Sequence, residues 1–109
     1  MLKRQVNNMD RRIWLGVVEL EFTTEGAASK VKRGFTNVTT WAFDYKEFCT
    51  KAAKMIDHYG WKLLAVDEAR AISEGEELSS VVEDMVARTR TNPSAVICGT
   101  IHKYSDHAN

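Results

Sequence analysis

Near the C-terminus Cys98, Thr100, His102 and Tyr104 recur at every second position, with Ile97, Gly99, Ile101 and Lys103 between them. On a β-strand this spacing puts thiol, imidazole and phenol on one face and mostly aliphatic groups on the other. The aliphatic side belongs against a core, so His102 and Tyr104 project from the side the core does not use. An earlier stretch behaves alike: Val18, Leu20 and Phe22 alternate with Glu19 and Glu21. Together these residues define a candidate open sheet face of His102, Tyr104, Glu19 and Glu21, joined by Trp41, Asn37 and Glu68 from other strands. Carboxylates, an imidazole, a phenol and an indole in one patch can serve general acid–base chemistry or hold a small polar ligand. The plainer account is that His102 and Tyr104 are ordinary residues at a fraying strand end.

Other chemistries find little support. His102 and His107, with Asp106 near them, lie on a tail with no helix or turn to fix them and no supporting shell, so no metal site is expected. The six glycines occur singly and no phosphate-cradling Gly-rich loop is present, so no cofactor is implied. Cys98 has no cation placed to activate its thiol, and Ser79 and Ser80 stand at an acidic helix start. No catalytic residue can be nominated.

The elements that must position the face follow from periodicity. A first strand spans 12–22, apolar on both sides in its first half and alternating in its second. A polar, Gly-bearing connection over 23–34 carries a small basic cluster, Lys30, Lys32 and Arg33. A second strand over 35–43 completes an antiparallel hairpin with a long loop. A helix over 44–59 has the sharpest boundaries in the chain. Asp44 is its N-cap, Glu47 closes a capping box, and Phe43 and Phe48 form a hydrophobic staple. Gly60 ends it in the left-handed conformation and Trp61 folds back on the last turn. A third strand follows over 61–72 with strict alternation. Ser73-x-x-Glu76 offers a second capping box ahead of a helix whose Leu78, Val81, Val82, Met85, Val86 and Thr89 share one stripe. Asn92-Pro93 stops it, and a last strand spans 94–104.

Two amphipathic helices and four strands predict an α+β fold of order ββαβαβ: a two-layer sandwich, with both helices on one face of a mixed or antiparallel sheet. The alternative places one helix on each face, making a three-layer monomer with no open face. Residues 1–12 read as a polar, basic, disordered leader, 13–104 as a single domain and 105–109 as a frayed tail.

Composition narrows the function classes. A 109-residue chain of zero net charge, 44% apolar and 28% charged, has the make-up of an ordinary globular domain. Neutrality argues against a dedicated nucleic-acid binder, and no apolar run is long enough to span a membrane. Charge is nonetheless uneven: residues 1–33 carry a net +3 and residues 67–84 a net −6, two solvated faces or two complementary docking patches. Cys49 and Cys98 read as buried free thiols, which suits a reducing cytoplasm. A sheet with both helices on one side leaves Ile13, Trp14, Leu15, Val17, Val18, Leu63, Leu64, Ala65 and Val66 only partly covered, and a homodimer is the simplest cover. Three functions stay open: a binding domain that self-associates through its sheet or takes a protein partner; a small-molecule-binding domain or enzyme using the polar-aromatic face; and a nucleic-acid binder stacking bases on Trp41 and Tyr104, which the small basic cluster disfavours.

Overall fold

The computed structural model describes residues 11–23 and 30–104; the expected leader up to residue 10 and the tail from 105 lie outside the described residues. The fold is α+β in the order ββαβαβ. The elements are β1 (Arg12–Thr23), β2 (Val31–Ala42), α1 (Tyr45–His58), β3 (Lys62–Ala71), α2 (Ser80–Arg90), β4 (Val96–Cys98) and β5 (His102–Lys103). All pairings are antiparallel, in the order β3-β1-β2-β4, with β5 also on β2.

The β1–β2 ladder runs unbroken from Arg12↔Ala42 to Thr23↔Val31. The second strand thus begins four residues before the expected start, and Lys32 and Arg33 sit in it rather than in a loop. Gly34 reads as a turn residue but serves a different need. A Cβ there would lie 2.6 Å from the His102 carbonyl oxygen, so glycine is what lets β5 approach.

One set of alternating side chains carries α1. Val18, Leu20, Val38 and Ala42 bury Phe48, Ala52 and Ile56. The Phe48 ring fills a notch at the Gly16↔Ala69 pair, where a Cβ on Gly16 would come within 2.6 Å of it. The other set carries α2. Ile13, Val82 and Val86 form a second cluster, with Leu15, Trp41, Ile72 and Leu78 against it. Here the hydroxyls of Thr39 and Thr89 meet at 2.8 Å inside the protein. Thr89 gives its one proton to the Met85 carbonyl, so Thr39 must be the donor to Thr89. The Trp41 indole donates to the Thr89 carbonyl at 2.8 Å. Of the two helix placements weighed above, α2 takes the second. The reason is the doubly apolar start of β1, where Ile13 and Leu15 need cover as much as Trp14, Gly16 and Val18 do. Because α2 has only 11 residues, it covers one end of its face.

The boundaries of α1 follow the sequence closely. Asp44 accepts the Glu47 amide at 2.9 Å. Glu47 reaches one residue further back than a capping box requires, accepting from the Phe43 amide at 2.7 Å, and also takes Arg11 at 2.6 Å. Gly60 has φ 78°, and its amide and that of Trp61 donate to the carbonyls of Asp57 and Ile56. The second capping box is a correction. Ser73 and Glu76 do bond each other, but around a turn at Gly75 clasped by Arg70. The helix starts later, at Ser80, with Ser79 capping the Val82 amide. The strict alternation of β3 is a second correction. Irregularities between Gly16 and Val18 and between Glu19 and Leu20 shift the register, so Leu63, Val66 and Ala69 all pack towards α1. The last strand is also broken into β4 and β5, separated at residues 99–101. No helix among the described residues is long and apolar enough to cross a membrane.

Two stability predictions follow from the α1 side. Gly16→Ala should destabilise the fold by about 1–3 kcal/mol in urea melts, because a buried ring has nowhere to retreat. Adding Phe48→Leu should recover part of that loss, which a backbone effect at residue 16 would not allow. The Arg11 guanidinium holds the Glu47 carboxyl below its ordinary 4.5; partial burial opposes this shift and the Phe43 amide reinforces it. A depressed folded pKa means stability that is complete above 4.5 and is lost as pH falls through the lowered value. The gap in stability between the native protein and Glu47→Gln should therefore shrink from pH 7 to pH 3, as read by denaturation at each pH.

Candidate ligand-binding face

Beyond the reach of α2, the same face of the sheet continues with Val17, Glu19 and Glu21 on β1 and Asn37, Phe35 and Arg33 on β2. Their partners Ala65 and Lys62 extend it onto β3. β5 completes it: His102 pairs with Phe35, and the Tyr104 amide donates to the Arg33 carbonyl at 3.1 Å. Phe35 anchors an aromatic trio. The His102 ring stacks on it at 5.2 Å between centroids and the Tyr104 ring leans on it at 5.6 Å. Such pairs stabilise beyond the area they bury, and here they hold a two-residue strand that has little else to fix it.

Glu19, half-buried on the same face, sets its negative charge on the Tyr104 phenol. Loss of hydration first, then the negative charges of Glu19 and Asp67, hold that phenol above its ordinary pKa of 10.0, while Arg33 works the other way. Tyr104 keeps 43% of its surface in solvent. The patch therefore presents a protonated phenol, an imidazole and a carboxylate around a phenyl floor: hydrogen-bond donors and acceptors beside a flat apolar surface.

Five of the seven residues nominated from sequence lie on this half-face: Glu19, Glu21, Asn37, His102 and Tyr104. Trp41 shares their face but sits at the covered end, its indole N–H spent on α2. A stacking platform for bases is lost with it. Glu68 is exposed at the β3 irregularity, where its charge acts on Arg70 rather than on the trio. Sequence reasoning missed Phe35 and Asp67. Phe35 is two residues before Asn37 in the same alternation, a signal strong enough to find it. Asp67 is brought into play by the β3 register shift, which the residue pattern does not announce.

Both cysteines are free and half-buried. Burial pushes the Cys98 thiol up, with Thr36 opposing weakly, which keeps it protonated at neutral pH and a poor nucleophile. Among the described residues no group of three or more His, Cys, Asp or Glu could hold a metal ion; His107 lies outside them. No protein-family model, curated protein or solved structure matches this chain.

The influence of Glu19 on Tyr104 is testable by titration. Glu19→Gln should bring the Tyr104 ring-carbon NMR titration back towards 10.0. An unchanged midpoint would mean that the Glu19 charge does not act on the phenol in solution.

Proposed function

We propose that this chain is a small binding domain that self-associates, as a homodimer, through the half of its sheet that α2 leaves uncovered. The observation that carries this reading is the half-face itself, with Val17, Phe35 and Ala65 only half-buried beneath an exposed His102 and Tyr104. Partly exposed apolar and aromatic side chains on a regular, rigid surface, rimmed by charge, are the make-up of an association surface. The rim has both signs, Glu19, Glu21 and Asp67 against Arg33 and Lys62, so a two-fold pairing of faces can match acid to base.

The edges of the sheet support face-to-face rather than edge-to-edge pairing. The free edge of β3 is irregular and carries Lys62, Asp67, Glu68 and Arg70. The opposite edge consists of two short strands with an interruption between them. Both are features that blunt strand addition. A second reading, a small polar ligand or substrate on the same patch, is favoured by one observation: an imidazole and a phenol held on one phenyl ring, with the phenol kept protonated by lost hydration and by the charge of a carboxylate on the same face.

Sedimentation equilibrium at micromolar concentration should give twice the 12.4 kDa chain mass. Phe35→Lys should shift it to the monomer, while Val81→Lys, on the exposed side of α2, should not. A single-chain mass at every concentration, or a dimer indifferent to Phe35→Lys in a variant that still melts cooperatively, would reject self-association through this face.

A further inference from the structure

At the other end of the sheet, six residues along β1 from Glu19 and so about 20 Å away, lies a cleft of about 290 Å³. Its lining is of two kinds. Ile13, Trp41 and Ile72 form an apolar floor, and Arg11, Arg12 and Arg90 stand around it with Ser73 and Glu74. The three arginines arrive from two elements: the start of β1 for the first two and the last turn of α2 for the third. Their pairing differs. Arg11 is engaged by Glu47 at 2.6 Å. Arg12 reaches only a backbone carbonyl, that of Ile72, at 3.3 Å. Among the described residues neither Arg12 nor Arg90 forms an ion pair, although Glu74 lines the same cleft.

The floor is as informative as the rim. Trp41 is half-buried and commits its one donor to Thr89, so it offers the cleft ring carbons and no unsatisfied N–H. A volume of 290 Å³ is about twice the roughly 150 Å³ that is known to hold benzene in a protein interior. It has room for one ring and a charged substituent. Guanidinium groups present a planar fork that matches the paired oxygens of a carboxylate or a phosphate, and they also pack on aromatic planes.

We propose that this cleft binds a small aromatic anion, with Arg12 and Arg90 holding a phosphate or carboxylate and Trp41, Ile13 and Ile72 receiving the ring. Glu74 lines the same cleft but pairs with neither guanidinium, so among the described residues both remain open to an incoming anion. The site is independent of the half-face at the opposite end of the sheet, so either can fail without the other.

The experiment is a calorimetric titration of the full chain with phenyl phosphate at low salt, paired with the Trp41 indole N–H cross-peak in an NMR spectrum. Binding should saturate with a Kd on the order of 1 mM or tighter, and the Trp41 signal should move with the same midpoint. Arg90→Gln should weaken binding at least about tenfold, the loss of a charge-assisted hydrogen bond. Lys54→Gln removes the same charge from α1 and should change nothing. Benzoate in place of phenyl phosphate reports whether a carboxylate serves as well as a phosphate, and saturable binding of either supports the site. The absence of saturation by both up to about 10 mM would overturn it, as would equal losses in Arg90→Gln and Lys54→Gln. Inorganic phosphate binding as tightly as phenyl phosphate, with Trp41 unmoved, would overturn the ring subsite on which the proposal depends.

Discussion

A phenylalanine ring lying against a glycine sets the geometry of this protein. Phe48 is wholly buried, and the sheet beneath it is thinned by Gly16 and Ala69, which face each other across the β1–β3 ladder. The notch brings α1 close to the sheet at that point and sets which turn of the helix sits over which strand pair. Trp14 flanks the ring at 6.3 Å, and Ala52 and Ile56 follow one and two turns later along the same stripe. With α1 seated there, its N-terminal cap falls where Arg11 can reach Glu47, and its C-terminal glycine delivers Trp61 onto Phe22. The start of β1 is then committed on one side. Its other side, Ile13 and Leu15, is left for α2. A close-packed interior transmits such a choice because it has no free volume to absorb it.

Two clusters back to back make the central strands differ along their length. Near Ile13 and Trp41 the sheet is covered on both sides; near Glu19 and Phe35 it is covered on one. The first region holds the buried Thr39 and Thr40, whose hydroxyls tie the sheet to α2 and to the segment before β4 through Thr39 to Thr89 and Thr40 to the Ala95 carbonyl. Those bonds are directional where apolar contacts are not, and they fix how α2 lies across the strands. The second region has a weaker tie, the Cys98 thiol to Thr36 at 4.0 Å, and its other face meets solvent.

Local chemistry was the readable part of the sequence. Asp44, Gly60 and Asn92-Pro93 each act through neighbours within about four residues, so a pattern of residue types is enough to place them. The readable signals that misled were also local. Ser73 and Glu76 bond as a capping pair would, but Gly75 bends the chain away before a helix can propagate. What escaped sequence reasoning was non-local. Gly34 looks like a turn glycine until β5 is seen to cross it. The alternation of β3 is interrupted by register shifts against β1, and the charge of Asp67 at that irregularity acts on Tyr104. For the candidate face, alternation located Glu19, Glu21, His102 and Tyr104, since position on a strand decides their side. It could not separate Trp41 from them, because only the short length of α2 divides the face into a covered and an open part.

The thinness of β5 sets a clock for the aromatic trio. Its pairing to β2 spans two residues, Gly34↔Lys103 and Phe35↔His102, against twelve for β1 and β2. Segments held by so few backbone bonds open locally at a free-energy cost far below that of global unfolding. The amides around His102 therefore exchange with solvent through small excursions, while those of Val18 and Val38 wait for the whole domain. Anything seated across Phe35, His102 and Tyr104 must also hold β5 closed, and part of its binding free energy goes into that ordering. Occupancy of this face is then recorded as slowed exchange at the C-terminal strand, in a part of the chain that contributes little to keeping the rest folded.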